Sequence, residues 1–446
     1  MPHGLLYGAS FTKGTLSFTD KQGRTICKAD LWDFLTLTAT SDNSSVRLTR
    51  VGALSNKFEV NVGNGWTAYE LGTVRNLNAG QSCKWRCSAR PTMQSTSSYV
   101  QFVMTGTIEA SGNCNSMLSS YFENLTSLSE NDYAFYKLFR DCTSLTKAPI
   151  LPATTLSPGC YSSMFSGCNS LKEAPSLPAT ILQRQCYSSM FFGCNSLKEA
   201  PSLPATAISP ECYYDMFWGC TALTQAPSLP AMELSKSCYE NMFRGCTALT
   251  QAPSLPAMEL EESCYESMFR DCVSLTQAPS ALPAIVAKPR CYFSMFEGCT
   301  SLINAPMIAA TTCRISSDKY NNAHLSYMFR NCTALANPPE IHLTTLAYHA
   351  LYFMFMGCTS LIRAPHLPAM TLAEGCYYGI FNGCTSLTEV RIDATTTATD
   401  ALRNWLADVS PTGEFYCDPN ATIFPTGASG IPEGWTRLPL SDYPTT

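Results

Sequence analysis

The chain has 446 residues, of which 14% are charged, with 29 Lys and Arg against 34 Asp and Glu and a net charge of −5. A phosphate-binding face needs clustered cations, and here they are dispersed among acids, so no nucleic-acid partner is expected. No run of about 18 apolar residues occurs, which excludes a membrane-spanning helix.

Residues 1–34 are mixed, with short β-like stretches around 14–20, and read as an attachment arm or first strands. Residues 35–97 alternate in strand fashion, as in Leu35-Thr36-Leu37-Thr38-Ala39, with Gly63-Asn64-Gly65 as a turn signal, and predict a small β-sandwich. Within 98–141, residues 99–106 read as the first strand of the following array and the rest as its irregular N-terminal cap.

Between Cys142 and Cys384 one phrase, approximately C-T-S-L-T-x-A-P-x-L-P-A-T-x-L-x-x-x-C-Y-x-x-M-F-x-G, recurs ten times. Its closing cysteines are Cys142, Cys168, Cys194, Cys220, Cys246, Cys272, Cys299, Cys332, Cys358 and Cys384, so the step is 26 residues apart from one of 27 and one of 33. A fixed step of this length marks a solenoid. In residues 179–194, Leu182, Cys186, Met190 and Cys194 stand four apart, with Tyr187 and Phe191 one position on, which predicts an amphipathic helix ended by Gly193. Residues 197–204 have no helical period and carry Pro201 and Pro204, which predicts a strand of about two to four residues. One short strand and one helix per repeat is the leucine-rich-repeat plan. The predicted fold class is therefore α/β: a curved leucine-rich-repeat solenoid over 142–390, behind the β-sandwich-like domain. Curvature is expected because strands stack about 4.8 Å apart and helices roughly 8 to 10 Å, giving about 43 Å on the strand side and about 80 Å on the helix side. In the C-terminal cap, 391–446, Ala401, Leu402, Trp405, Leu406 and Val409 predict a short helix that Pro411 stops, closed over by residues 413–435.

The phrase Met-Phe-x-Gly-Cys-Thr-Ser-Leu, read at 354–361 and 295–302, resembles the BspA-type leucine-rich repeats of Bacteroidetes surface proteins. The Leu-Pro-Ala-Thr repeats, the β-rich segment before them and the ending Ser429-Gly430-Ile431-Pro432-Glu433-Gly434-Trp435-Thr436 are similar to proteins of phages and prophages of those bacteria. Where the family has L-x-x-L-x-L, this chain has Leu197-x-x-Ala200-Pro201-Ser202-Leu203. The resemblance implies a non-enzymatic attachment or display protein without a cofactor. On a phage virion it would be a head or tail appendage, holding other virion proteins through its N-terminal region and meeting a host-surface carbohydrate or protein. A secreted or surface-anchored adhesin and a ligand-free decoration protein would use the same solenoid, and a homo-oligomer is compatible with each. The opening residues 1–8 have no charged and apolar regions of a secretory signal, which favours release by lysis and a place on the virion surface.

The 23 cysteines are expected to be buried and reduced: paired cysteines such as Cys186 and Cys194 lie eight apart, ~12 Å along a helix, whereas a disulfide needs Cα atoms within about 7 Å. The Met-Phe columns are read as core. A zinc site would need Cys83 and Cys87 with His3, Cys27 or Cys114, and is not expected. His342 and His349 stand seven apart and are read as lone surface histidines, not a metal pair. No H-E-x-x-H, G-x-S-x-G, phosphate loop or calcium loop is present, and no enzyme is expected.

Two sets of ligand candidates remain. Two positions after each repeat leucine stands a polar residue: Lys147, Glu173, Glu199, Gln225, Gln251, Gln277, Asn304, Asn337, Arg363 and Glu389. Such a column is a ligand face or the solvated face that any soluble sheet needs. The 33-residue step carries seven extra residues within 311–324, where Arg314, Asp318, Lys319 and Tyr320 suit contacts with a carbohydrate or a protein epitope, unless the segment is a tolerated surface insertion.

Overall fold

The computed structural model describes residues 9–12, 15–19, 25–30, 33–55, 57–88, 94–118, 126–427 and 429–444. They fall into two compact units, Met1–Pro204 and Ala205–Thr446. A β-sheet region precedes a β-solenoid.

In the first unit, β1 (Ala9–Thr12), β2 (Thr15–Thr19) and β3 (Thr25–Asp30) form an antiparallel sheet of their own. The alternating segments then supply β4 (Leu35–Ala39), β5 (Ser44–Val51), β6 (Phe58–Asn61), β7 (Trp66–Tyr69), β8 (Arg75–Leu77), β9 (Ser82–Cys87), β10 (Tyr99–Thr105), β11 (Ile108–Ser111) and β12 (Leu145–Lys147). They build two sheets, β12-β11-β4-β9-β6-β7 and β10-β5-β8. Because side chains alternate, Leu35, Leu37 and Ala39 from one sheet and Val100, Phe102 and Met104 from the other point inward. Trp85 meets Phe102 between the sheets at 5.2 Å, so the pair is a sandwich. The β6–β7 turn uses Gly63 and Gly65 at φ of 109° and 95°, as the turn signal requires.

The predicted cap at 98–141 is divided differently. Strands β10 and β11 belong to the sandwich, and residues 126–141 already form a solenoid coil. The sandwich itself covers the end of the array in this unit: β11 pairs in parallel with β12, and Phe102 stacks on Phe139 at 5.3 Å. A solenoid's end face exposes apolar side chains and unpaired backbone, and this junction satisfies both.

The segment predicted as a helix in each repeat is not one. Between 157 and 168, the amides of Cys160, Ser162, Met164, Ser166 and Cys168 donate to carbonyls three residues back, at 3.0–3.3 Å. The intervening amides of Gly159, Tyr161, Ser163, Phe165 and Gly167 donate instead to Arg184, Cys186, Ser188, Met190 and Phe192 of the next coil, at 2.7–3.0 Å. Gly159, Ser163 and Gly167, four apart, have φ of 62°, 54° and 76°. This is a run of linked β-turns, each closed by an i to i+3 bond. An α-helix would spend its interior amides on itself and offer none to a neighbour. Among the described residues there is no α-helix, and the α/β, strand-plus-helix description is corrected to a β-solenoid of strands and linked turns.

The second unit repeats this scheme, down to the predicted C-terminal helix, where Arg403, Trp405 and Ala407 bond three residues back and Asp400, Asn404 and Asp408 have positive φ. Its prolines hold the strand side to short parallel pairs: β13 (Ala281–Leu282) with β15 (Met307–Ile308), β14 (Val286–Ala287) with β16 (Thr312–Cys313), and β17 (Thr371–Leu372) with β19 (Thr396–Thr397). Strands β18 (Glu389–Arg391), β20 (Gly413–Cys417) and β21 (Trp435–Pro439) close the last coils, with Trp405 Nε1 donating to Gly430 O at 2.9 Å. Since turns and strands alike are linked coil to coil by backbone hydrogen bonds, the helix-to-strand mismatch behind the expected curvature is absent from each unit.

The predicted apolar columns are the core. In the second unit Phe217, Phe243, Phe269, Phe296, Phe329, Phe355 and Phe381 stack 5.5–5.7 Å apart and within 12° of parallel. Each coil's closing cysteine has a polar duty as well: Cys246 Sγ donates to Phe217 O at 3.1 Å and Cys272 Sγ to Phe243 O at 3.0 Å, and the same bond recurs in the other unit at Cys168 and Cys194. No disulfide joins the 22 cysteines with described side chains. Burial pushes the Cys272 thiol up to about 12, so the reactive thiolate is suppressed.

Two outcomes follow from this packing. Phe243→Ala leaves a cavity between two stacked rings and should cost about 3 to 5 kcal/mol in denaturant unfolding; an unchanged midpoint would remove Phe243 from the core. The native chain should resist a thiol-alkylating reagent, while the denatured, unreduced chain takes it up at most of its cysteines; mass spectrometry showing fewer than half modified would mean that disulfides replace the thiol bonds.

Candidate binding surface

The polar column is placed outward. Lys147, Glu173 and Glu199 of the first unit are exposed, as are Gln225, Gln251, Gln277, Asn304, Asn337 and Arg363 of the second, while Glu389 is half-buried. Parallel bridges hold Gln251 to Gln277, Asn304 to Asn337 and Arg363 to Glu389, so these side chains are spaced by the backbone ladder. Several bind each other: Asn337 Nδ2 donates to Asn304 Oδ1 at 2.6 Å, and Arg363 Nε lies 3.2 Å from Glu389 Oε2, which also accepts from Tyr443 through its other oxygen at 2.9 Å. At this end the column is self-satisfied, whereas the glutamines stand in water.

The insertion is a built loop. Asn322 is buried; its Oδ1 accepts from the Ser316 amide at 2.6 Å and its Nδ2 donates to Ser316 O at 3.3 Å. Asp318 caps the single 3₁₀ turn Lys319–Asn322 by accepting from the Tyr320 amide at 3.1 Å. His324, wholly buried where seven other repeats have cysteine, holds Arg314 O at 2.8 Å, and burial lowers its pKa, which keeps the imidazole neutral. Arg314, Asp318 and Tyr320 are left exposed, Tyr320 at 68%. The side chain of Lys319 lies outside the described residues.

The histidines are not brought together. His342 is 3.6 Å from Glu340, His366 is 2.9 Å from Asp393, and His349 lies in a ring stack. Among the described residues no three ligating side chains converge. Cys83, Cys87 and Cys114 are buried in the sandwich core, with Trp85 Nε1 donating to Cys83 Sγ at 3.2 Å; His3 and the Cys27 side chain lie outside the described residues.

Sequence reasoning missed an aromatic cluster on the turn side of the second unit. Tyr327 lies 5.4 Å from Tyr352, Tyr352 lies 5.0 Å from Tyr378, and Phe353 packs within 5.2 Å of Tyr378 and 4.5 Å of Tyr352. Tyr320 of the insertion meets Tyr348 at 5.8 Å, and Tyr348 stacks on His349 at 3.8 Å, which joins the insertion to the cluster. The signal lay in the comparison of repeats with each other: the Ser162-Ser163 and Ser188-Ser189 positions become Tyr352-Phe353.

Acids stack on the same side of earlier coils. Glu240 and Glu266 share one register position and Asp215 lies at the neighbouring one, its backbone amide donating to the Glu240 carbonyl at 3.0 Å; Glu266 is held by Arg290 at 2.9 Å. Burial raises the Asp215 carboxyl to about 7, against the lowering effects of Asn241 and Arg244. Burial also raises Glu240 to about 7, with Glu266 and Asp215 adding and Ser237 and Arg290 opposing.

No family model matches the chain, and no curated protein is similar to it at a significant level.

Both carboxyls are more easily protonated in the folded chain than in the unfolded one. Their stabilisation is complete below about pH 4 and is lost as pH rises through about 7. The chain should therefore melt at higher temperature at pH 5 than at pH 8, and Asp215→Asn should shrink that difference. An equal gap in the variant would detach it from Asp215.

Proposed function

We propose that this chain is a non-enzymatic attachment or display protein, carried on a phage virion as a head or tail appendage, whose solenoid binds a carbohydrate or protein on the host surface. One observation carries the reading: in the second unit parallel bridges hold outward polar residues of successive coils side by side, and the long insertion is a loop pinned by buried Asn322 and His324 with Tyr320 presented to solvent. Ligand recognition gains from such pre-organisation, because side chains already fixed in place lose little entropy on binding. The repeat phrase supports the virion setting through its resemblance to BspA-type proteins of Bacteroidetes phages. On this reading the sandwich and the sheet before it attach the chain to other virion proteins.

Removing residues 316–322 restores a 26-residue step. The shortened protein should keep the parent's melting behaviour and lose at least tenfold in binding to Bacteroidetes cells, measured by flow cytometry of the labelled protein. Undiminished binding would take the insertion out of the contact and leave the polar column to carry it. Binding by neither protein to any strain of a broad panel would count against attachment itself.

A further inference from the structure

The aromatic cluster breaks a rule that the other coils of its unit keep. At the central turn position, where the backbone is left-handed, the first unit has Lys137 in one coil, while the other coils of the second unit place serine, aspartate, asparagine or glycine, as at Asp215, Asn241, Ser267 and Gly379. These residues tolerate positive φ, whereas bulky side chains there are strained. Two successive coils place Tyr327 and Phe353 at that position, with φ of 58° and 52°, and His349 occupies the preceding turn position at 54°. The next coil is glycine at the matching sites: a Cβ at Gly375 would collide with the His349 ring and one at Gly379 with the Phe353 ring. Rings forced into strained positions, over glycines that make room for them, form a built shelf, and strain of this kind collects at functional sites.

The occupant follows from charge and area. The arginines beside the rings are each matched by an acid: Arg290 with Glu266 at 2.9 Å, Arg330 with Glu297 at 3.6 Å and Arg403 with Asp400 at 4.0 Å. They lie over Phe293, Tyr327 and Tyr378 at 3.9, 5.3 and 5.5 Å. Glu297 also takes Arg270, which has Asp271 beside it, so apart from exposed Arg314 of the insertion the cations beside the rings are balanced and an anion is not favoured. Phe293, Tyr327, Tyr348, Tyr352, Phe353 and Tyr378 are all half-buried, and six such rings leave on the order of 400 Å² open. A stable protein interface takes roughly 800 Å² per partner. A short saccharide fits this area: its C–H faces carry the slight positive charge that a ring face attracts, and its hydroxyls match tyrosine hydroxyls and an imidazole.

We propose that the shelf formed by Tyr327, Tyr352, Phe353 and Tyr378, extended by Tyr320, binds a neutral oligosaccharide. The proposal deepens the attachment reading by naming the ligand class and the residues that take it.

The test is calorimetric titration of the full chain with cellotriose, chitotriose and mannotriose as neutral probes and trigalacturonic acid as an anionic one. At least one neutral probe should bind. Tyr352→Ala should weaken that binding at least tenfold, while Met258→Ala, an exposed side chain on another coil, leaves it unchanged. Tyr352→Phe, which keeps the ring, should retain most of the affinity and provides the comparison if the alanine variant melts early. The proposal is overturned if no neutral probe binds at millimolar concentration, if only the anionic probe binds, or if Tyr352→Ala binds as the parent does. Sugar binding without cell binding would sink the attachment reading alone; cell binding without sugar binding would sink this one alone.

Discussion

Alternation of the backbone amides is the constraint on which the rest of the solenoid depends. Along each run of linked turns one amide closes its own turn and the next reaches the neighbouring coil. Every coil is therefore both a chain of local turns and a rung of a non-local ladder, and buried peptide groups are satisfied without a helix. The left-handed residue that recurs every fourth position is the conformational cost of the scheme. Glycine, asparagine and aspartate bear it at the last such position of the coils, as at Gly167, Gly245, Asp271 and Asn331.

That geometry also explains the composition. Coils joined by hydrogen bonds are too close for staggered side chains and bring identical residues into register, so phenylalanine stacks on phenylalanine and tyrosine on tyrosine. Cysteine suits its column because it is small and apolar and still donates weakly. Its thiol meets the phenylalanine carbonyl of the preceding coil, a bond that alanine cannot make. The abundance of cysteine here is a packing feature, with burial holding the thiols protonated.

Much of this was legible in the residues. The step length gave the solenoid and the period-two alternation gave the sheets before it, whereas the strand expected at 197–204 is not formed. The helix was misread because four-residue turns and a 3.6-residue helix place Leu182, Cys186, Met190 and Cys194 on one side almost equally well over so short a run. What separated them was the glycine, asparagine or aspartate at the last left-handed place of each coil, which a helix disfavours and left-handed turns prefer. The outward polar column was readable from polarity alone. The clasp of the insertion was not, since His324 and Asn322 look like surface residues until the fold buries them. The aromatic shelf was hidden for a different reason: its parts come from separate repeats, and only coil-to-coil register places them side by side.

Far-ultraviolet circular dichroism of the purified chain tests the central claim most directly, because a strand-plus-helix repeat and a linked-turn repeat of the same sequence differ in helix content across ten repeats. The account predicts a spectrum of strands and turns without the double minimum of α-helix. A strong helical double minimum would contradict the alternating ladder and everything built on its register.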